Sequence, residues 1–422
     1  MENADLIALR ASLGPIDLRV HSENGHYRQI SDVNGELWGI VGLNGLLAYR
    51  SIVDDLYEAA KSIRANYTVM ELEDAVDRVL GDPTSTNLTS SGKFTAAVTK
   101  LLPANPIRQF TIWRHIYGLQ FSRRRVLGGF TFQQTASLRK RLPSSVRDKI
   151  RWDSAFGEHV VSVSVESVSP GRALEIADGH FYGLELLFAM LVGEPRRGLS
   201  VRVTRPTEAR GTAFVTLSSD NAVRWGYAAE GTELHIVDLS REPFTDRFVR
   251  HLFALFAKSQ CAGLESRVKT AVIWIGKGTI ARTSSEQLVC YCTALEALLV
   301  MQDHTFVSPS VVSSLAEYCA YLISSDGPQR RRIDRLVRKV YRARSAVSHH
   351  GSESTKRQSV VTARNIAVEL TSCVLKLVHQ GVSTDDAMKA HIETLKYDRS
   401  SRPQSRGRLK TSKRRARNPA AD

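Results

Sequence analysis

The sequence predicts an α+β chain, with a mixed α/β N-terminal region followed by a C-terminal all-α helical bundle. Three observations predict it. Short apolar runs separated by turn residues fill residues 1–50, and the stretch Val-Val-Ser-Val-Ser-Val-Glu-Ser-Val at 160–168 alternates as a half-buried strand does. After Thr283 strand signals stop and helical periodicity takes over. At 422 residues the chain exceeds a typical single core. The expected divisions are an N-terminal α+β region over 1–150, an α+β regulatory or sensing region over 151–283, a helical domain over 284–395 and a basic disordered tail over 396–422.

Asn-Gly pairs at 24–25, 34–35 and 44–45 predict hairpins in a small sheet. Apolar spacing turns helical from Ile52 to Leu80, and a second helix covers Lys93–Leu102 before Pro103 and Pro106. The segment Ile107–Arg125 interleaves Phe110, Trp113, His115, Tyr117 and Phe121 with arginines. Such residues either stack bases or, more ordinarily, line a core beside a solvated basic face. A helix is expected over Arg172–Val192 and another over Phe244–Lys258. Strands are expected at Leu199–Thr204, Thr212–Leu217, Leu234–Leu239 and Thr270–Ile275.

In the C-terminal region, Ser284 and Ser285 are the expected caps of a helix running to about Met301, and Pro309 opens the next, ending near Ile323. Asp326-Gly-Pro328 breaks the chain before an amphipathic helix over Gln329–Ser348. Further helices are expected over Ser359–His379, ended by Gly381, and over Thr384–Leu395.

The formal charge of +15 points to a polyanionic partner, nucleic acid ahead of a membrane surface. Residues 396–422 hold ten Lys/Arg against two Asp, or +8, leaving a mildly basic +7 for the rest. That tail, with Lys413, Arg414 and Arg415, either holds RNA electrostatically or is a solvated extension. Five cysteines match neither a disulfide framework nor a four-ligand zinc site, which fits a reducing cytoplasm and no metal. No run approaches the roughly 18 apolar residues of a membrane span, and the charged first thirty residues offer no signal core. Gly39-x-x-Gly42-x-x-Gly45 has neither Rossmann spacing nor a Walker lysine, so no nucleotide cofactor is assigned.

The segment Val340–Gly351 carries the candidate chemistry. Ile333, Leu336, Val337, Val340 and Val347 form one apolar stripe, and Arg344 falls on it. An inward guanidinium needs a carboxylate, a polar cleft or a phosphate. Upstream, Leu288, Cys292, Leu295 and Leu299 mark another stripe, with Glu296 beside it. Two opposite charges misplaced into two apolar stripes suggest one shared site, or a buried pair that only fixes helix register. His349 and His350 end the same helix, with Gly351 placed to cap it. A histidine can exchange a proton with a 2′-hydroxyl or a leaving 5′-oxygen, and an arginine can stabilise the phosphate between them. Tyr341 and Ser345 add hydroxyls, and Arg342 adds a further cation. On an unbroken helix, positions 344 and 349 lie roughly 140° apart, so they share no face. The helix must then end, or a second subunit contribute.

Tyr341-Arg-Ala-Arg344-Ser-Ala-Val-Ser-His349-His-Gly351 resembles the Tyr-x-x-Arg-Ser-x-x-x-His-Gly pattern of the Apea-like branch of the HEPN-domain family, and Thr293-Ala-Leu-Glu-Ala-Leu-Leu299 is similar to that branch's upstream helix. The chain departs from the pattern in carrying His350 between His349 and Gly351. The resemblance covers residues 284–395. It implies a helical bundle, a homodimer that brings two Arg/His pairs into one cleft, and metal-independent cleavage of RNA, with Arg344 on the phosphate and His349 as acid/base. It further implies a defence or toxin-like effector, antiviral in many relatives, held by its N-terminal region until a regulatory or phage-derived trigger. Glu296 would orient Arg344, with Tyr341, Ser345 and His350 in support and Arg342, Lys413, Arg414 and Arg415 binding RNA. The alternatives are a non-catalytic RNA-binding or dimerisation module of the same fold, or a transcriptional regulator suggested by charge alone.

Overall fold

The computed structural model describes residues 3–15, 27–31, 37–82, 90–102, 106–148, 158–193, 201–203, 212–217, 223–228, 237–300, 309–350 and 355–397. The chain is α+β, and it divides into two compact units: residues 1–188 with 199–259, and residues 189–198 with 260–422.

The first unit opens with helix α1 (Asn3–Ala11) and an antiparallel sheet of β1 (Leu13–Pro15), β2 (Tyr27–Ser31) and β3 (Leu37–Val41), ordered β1-β3-β2. Helices α2 (Leu43–Ala59), α3 (Lys61–Asn66), α4 (Val69–Gly81) and α5 (Ser91–Leu101) follow. Leu9, Ile40, Ile52, Leu72, Val76 and Phe94 are fully buried in their shared core. The third Asn-Gly pair makes no hairpin. It lies in the first turn of α2, where a β-carbon on Gly45 would fall 2.4 Å from that of Ser12, so glycine is needed for close packing rather than for a turn. The other two pairs lie outside the described residues.

A five-stranded antiparallel sheet, ordered β6-β7-β8-β4-β9, forms the second half of this unit. It comprises β4 (Arg108–Tyr117), β6 (Arg125–Leu127), β7 (Phe130–Gln134), β8 (His159–Ser167) and β9 (Arg202–Val203), while β5 (Leu119–Gln120) pairs in parallel with β12 (Val237–Asp238). Strands β10 (Thr212–Leu217) and β11 (Val223–Ala228) pair as a separate two-stranded ribbon. Strand β8 alternates only toward its end. Its first half, Val160 to Val163, is buried on both faces, whereas Ser164 and Glu166 face solvent. Helices α6 (Thr135–Arg141) and α7 (Ser144–Arg147) follow β7, and α8 (Pro170–Val192) and α9 (Arg247–Ala257) complete the unit. Phe132, Phe188 and Phe253 meet edge to face at its centre, with ring centroids 5.5–6.3 Å apart.

Phe121 is buried, His115 is buried beside Tyr117, and Arg114 forks onto Asp178 at 2.9 Å, whereas Arg123–Arg125 face solvent.

The second unit holds helices α10 (Gly263–Ile280), α11 (Ser284–Leu299), α12 (Pro309–Ile323), α13 (Gly327–His350), α14 (Arg357–His379) and α15 (Asp385–Tyr397). Thr270–Ile275 is therefore helix, not strand. So short an apolar run fits either element, and here Leu264, Val268, Ala271, Val272 and Ile275 give it a buried helical face. The cap of α11 is Thr283 rather than Ser284 or Ser285: its hydroxyl accepts the Glu286 N–H at 3.2 Å while the Glu286 carboxylate accepts the Thr283 N–H at 3.1 Å. Gly278 allows α10 and α11 to close. A β-carbon there would come within 2.7 Å of the Tyr291 ring. Gly381, at φ 89°, ends α14 in the left-handed conformation. Among the described residues no helix is long and apolar enough to cross a membrane.

Candidate active site

Helix α13 delivers Arg344 because its buried stripe continues beneath it. Ile333, Val337, Val340 and Tyr341 are at most 5% exposed and seat one face of the helix in the bundle. Arg344 extends that face and keeps a side chain only 25% exposed. Helix α11 brings Glu296 opposite, one turn after the fully buried Cys292 and beside the buried Leu295 and Leu299. The two stripes read from the sequence thus meet, and they bring the misplaced charges together.

The pair is loosely made. Arg344 Nη2 stands 3.6 Å from Glu296 Oε1, beyond hydrogen-bonding distance. Both Glu296 Oε1 and Arg344 Nε are buried without a hydrogen-bond partner among the described residues. A buried polar group left unsatisfied costs about 1–3 kcal/mol. A pair selected only to lock helix register would be expected to close the gap.

Electrostatics follow from the burial. Desolvation pushes the Glu296 carboxyl above its ordinary value, while the Arg344 guanidinium and the Tyr341 hydroxyl pull the other way. Tyr341 is driven well above its ordinary range by burial and by neighbouring Cys292 and Glu296, so it stays neutral and acts as a donor. Its hydroxyl donates to the Cys292 carbonyl at 3.3 Å, joining α13 to α11. Burial also raises the Cys292 thiol, which leaves it inert as a nucleophile.

The other expected residues are distributed less tightly. Ser345 is exposed, off the buried stripe. Arg342 is exposed too, and its Nε donates to the Arg338 carbonyl at 3.4 Å within its own helix. His349 and His350 are the last two residues of α13, so the helix runs unbroken past Arg344 and positions 344 and 349 stand roughly 140° apart about its axis. Lys413, Arg414 and Arg415 lie outside the described residues. Among the described residues no three His, Cys, Asp or Glu side chains converge as a metal site.

Two features of this unit escaped the sequence. Arg267 of α10 forks onto Asp385 at 2.7 and 2.5 Å and donates through Nη1 to the carbonyls of Ala297 and Val300, both at 2.9 Å. It closes the C-terminal end of the helix that carries Glu296. A lone arginine among polar helix positions gave no signal of this. The second is a cleft between α12 and α13, described below.

Comparison of the chain with protein-family models, with curated proteins and with solved structures finds no match.

Proposed function

We propose that the helical unit is a metal-independent endoribonuclease of the HEPN type, with Arg344 as the phosphate-stabilising cation and His349 as the acid/base. The observation that carries this is the state of Arg344: a guanidinium drawn into the bundle, with a buried nitrogen unpartnered among the described residues and its carboxylate held at 3.6 Å. A scissile phosphate would supply the acceptors that Glu296 does not. Arginine suits that role because it stays charged and binds phosphate oxygens through a planar fork.

In the reaction the RNA 2′-oxygen bonds to phosphorus as the bond to the 5′-oxygen breaks. An imidazole takes the 2′-hydroxyl proton, and an imidazolium returns a proton to the leaving oxygen. The products are a 2′,3′-cyclic phosphate and a 5′-hydroxyl, with no metal required. The angular separation of 344 and 349 on one straight helix favours a site shared by two copies of the chain, with arginine from one and histidine from the other. Glu296 orients Arg344, and the buried Tyr341 fixes the two helices on which they stand. The unit formed by residues 1–188 and 199–259 would act as a sensing or regulatory region that raises a basal cleavage activity already measurable in the untriggered chain, the whole serving as a cytoplasmic defence or toxin-like effector.

Purified protein incubated in EDTA with an end-labelled single-stranded RNA should produce fragments ending in 2′,3′-cyclic phosphate. His349→Ala should lower the rate by about 10²-fold or more, in line with general acid–base catalysis, while His350→Ala keeps most of it. Equal cleavage by wild type and His349→Ala would remove His349 from the mechanism, and no cleavage by wild type would remove the proposal.

A further inference from the structure

A cleft of about 590 Å³ opens between α12 and α13, lined by Glu317, Ala320, Tyr321, Arg330, Arg331, Asp334 and Arg335. Its charges are unevenly engaged. Glu317 shares Lys396, 3.3 Å away, with Glu393 at 3.1 Å, and Asp334 is taken by Arg338 at 3.0 Å. Arg330 is pinned: its Nε donates to the Ser324 carbonyl at 2.7 Å and its guanidinium lies 4.4 Å over the Tyr321 ring. Arg331 and Arg335, one helical turn apart, have no carboxylate partner among the described residues. The Nε of Arg335 reaches only the carbonyl of Arg331.

The cleft therefore combines two cations without a carboxylate partner among the described residues, a face built from a tyrosine ring and the guanidinium over it, and carboxylates already paired with other side chains. That set fits a nucleotide. Phosphate oxygens take the two arginines, and a base lies against that face. The volume is also of the size that small-ligand sites have. We infer that this cleft binds a nucleotide through its phosphate, with Arg331 and Arg335 as the phosphate ligands and the Tyr321–Arg330 pair as the base platform. The inference concerns binding and stands apart from cleavage at Arg344.

The phosphate has two sources, a strand of RNA lying along α13 or a free mononucleotide. Arg331, Arg335 and Arg342 lie along the exposed side of α13, with Arg338 between them held by Asp334 and Ser313, and the three exposed cations would carry a strand from the cleft toward the end of the helix.

The test measures binding of two probes, a fluorescein-labelled decauridylate blocked against cleavage by 2′-O-methyl groups, and adenosine 5′-monophosphate. The full chain is compared with the Arg331→Gln/Arg335→Gln variant at matched helicity and melting temperature. Both residues are exposed, so the variant should fold. If a strand is the ligand, decauridylate affinity should fall about tenfold and its log–log salt slope should shrink by about 1.4, the value for two single-strand phosphates. If a mononucleotide is the ligand, it should bind wild type and lose at least tenfold in the variant, and Tyr321→Ala should weaken it further. Failure of wild type to bind either probe, or equal affinities in wild type and variant for both, would overturn the assignment. Cleavage measured separately with unmodified RNA tells failure here from failure of the Arg344 site.

Discussion

Replacing Arg344 with alanine is expected to cut the rate of RNA cleavage by about 10²–10³-fold, the usual loss when one charge-stabilising donor is removed from a transition state. The same change should move the melting temperature by no more than about 2 °C, equivalent to less than about 1 kcal/mol for a unit of this size. The small second number follows from the geometry. At 3.6 Å, with Nε unpartnered, Arg344 makes no hydrogen bond to Glu296 through Oε1 that its loss would break. The carboxyl left behind is already pushed upward by burial, so it can take a proton instead of remaining a stranded charge. A structural arginine would behave in the opposite way, with a large fall in stability and an activity loss that only follows it. Thermal melting and initial-rate measurements on one preparation separate the two.

Arg267→Ala provides the contrast, and its effect should fall on stability. This side chain is 22% exposed and makes four short contacts, two to Asp385 and two to the last carbonyls of α11. Its removal leaves two helix-terminal carbonyls and a partly buried carboxylate without their donor. A loss of about 2–3 kcal/mol is expected, reduced from the fully buried case because water reaches the pair. For a unit of this size that corresponds to a fall of about 5–10 °C in melting temperature. Arg267→Lys should recover only part of it, since an ammonium cannot fork onto a carboxylate and reach two carbonyls at once. A change under about 1 °C in Arg267→Ala would mean that the α10–α15 tie contributes little to the bundle.

Much of the helical unit was legible because its stripes are long. Leu288, Cys292, Leu295 and Leu299, and Ile333, Val337 and Val340, repeat over several turns, so the charge that interrupts each stripe stood out, and the structure brings the two together. Thr270–Ile275 failed for the opposite reason: five apolar residues after a threonine are too few to separate a strand from a buried helix turn, and only the more distant Leu264 and Val268 decide it. Asn44-Gly45 carried strong hairpin chemistry that tertiary packing against Ser12 overrode. The hydroxyl of Thr283 outcompeted its serine neighbours as a cap because Glu286 sits three residues after it and returns the hydrogen bond. The cleft at Tyr321 was not visible at all. It depends on α12 and α13 lying side by side and on which carboxylates Lys396 and Arg338 neutralise, and sequence spacing holds neither fact.

On the proposed mechanism Arg344 and His349 act on one phosphate although they lie on different sides of one helix. Mixing Arg344→Ala protein with His349→Ala protein, under conditions that exchange subunits, distinguishes a site shared by two chains from one built within a single chain. If one protomer supplies the arginine and its partner the histidine, half of the dimers are mixed and each holds one intact site, so cleavage should recover to about a quarter of the wild-type rate. If both residues come from the same chain, every site in every dimer stays broken. A mixture no more active than either variant alone would rule out a site shared between protomers.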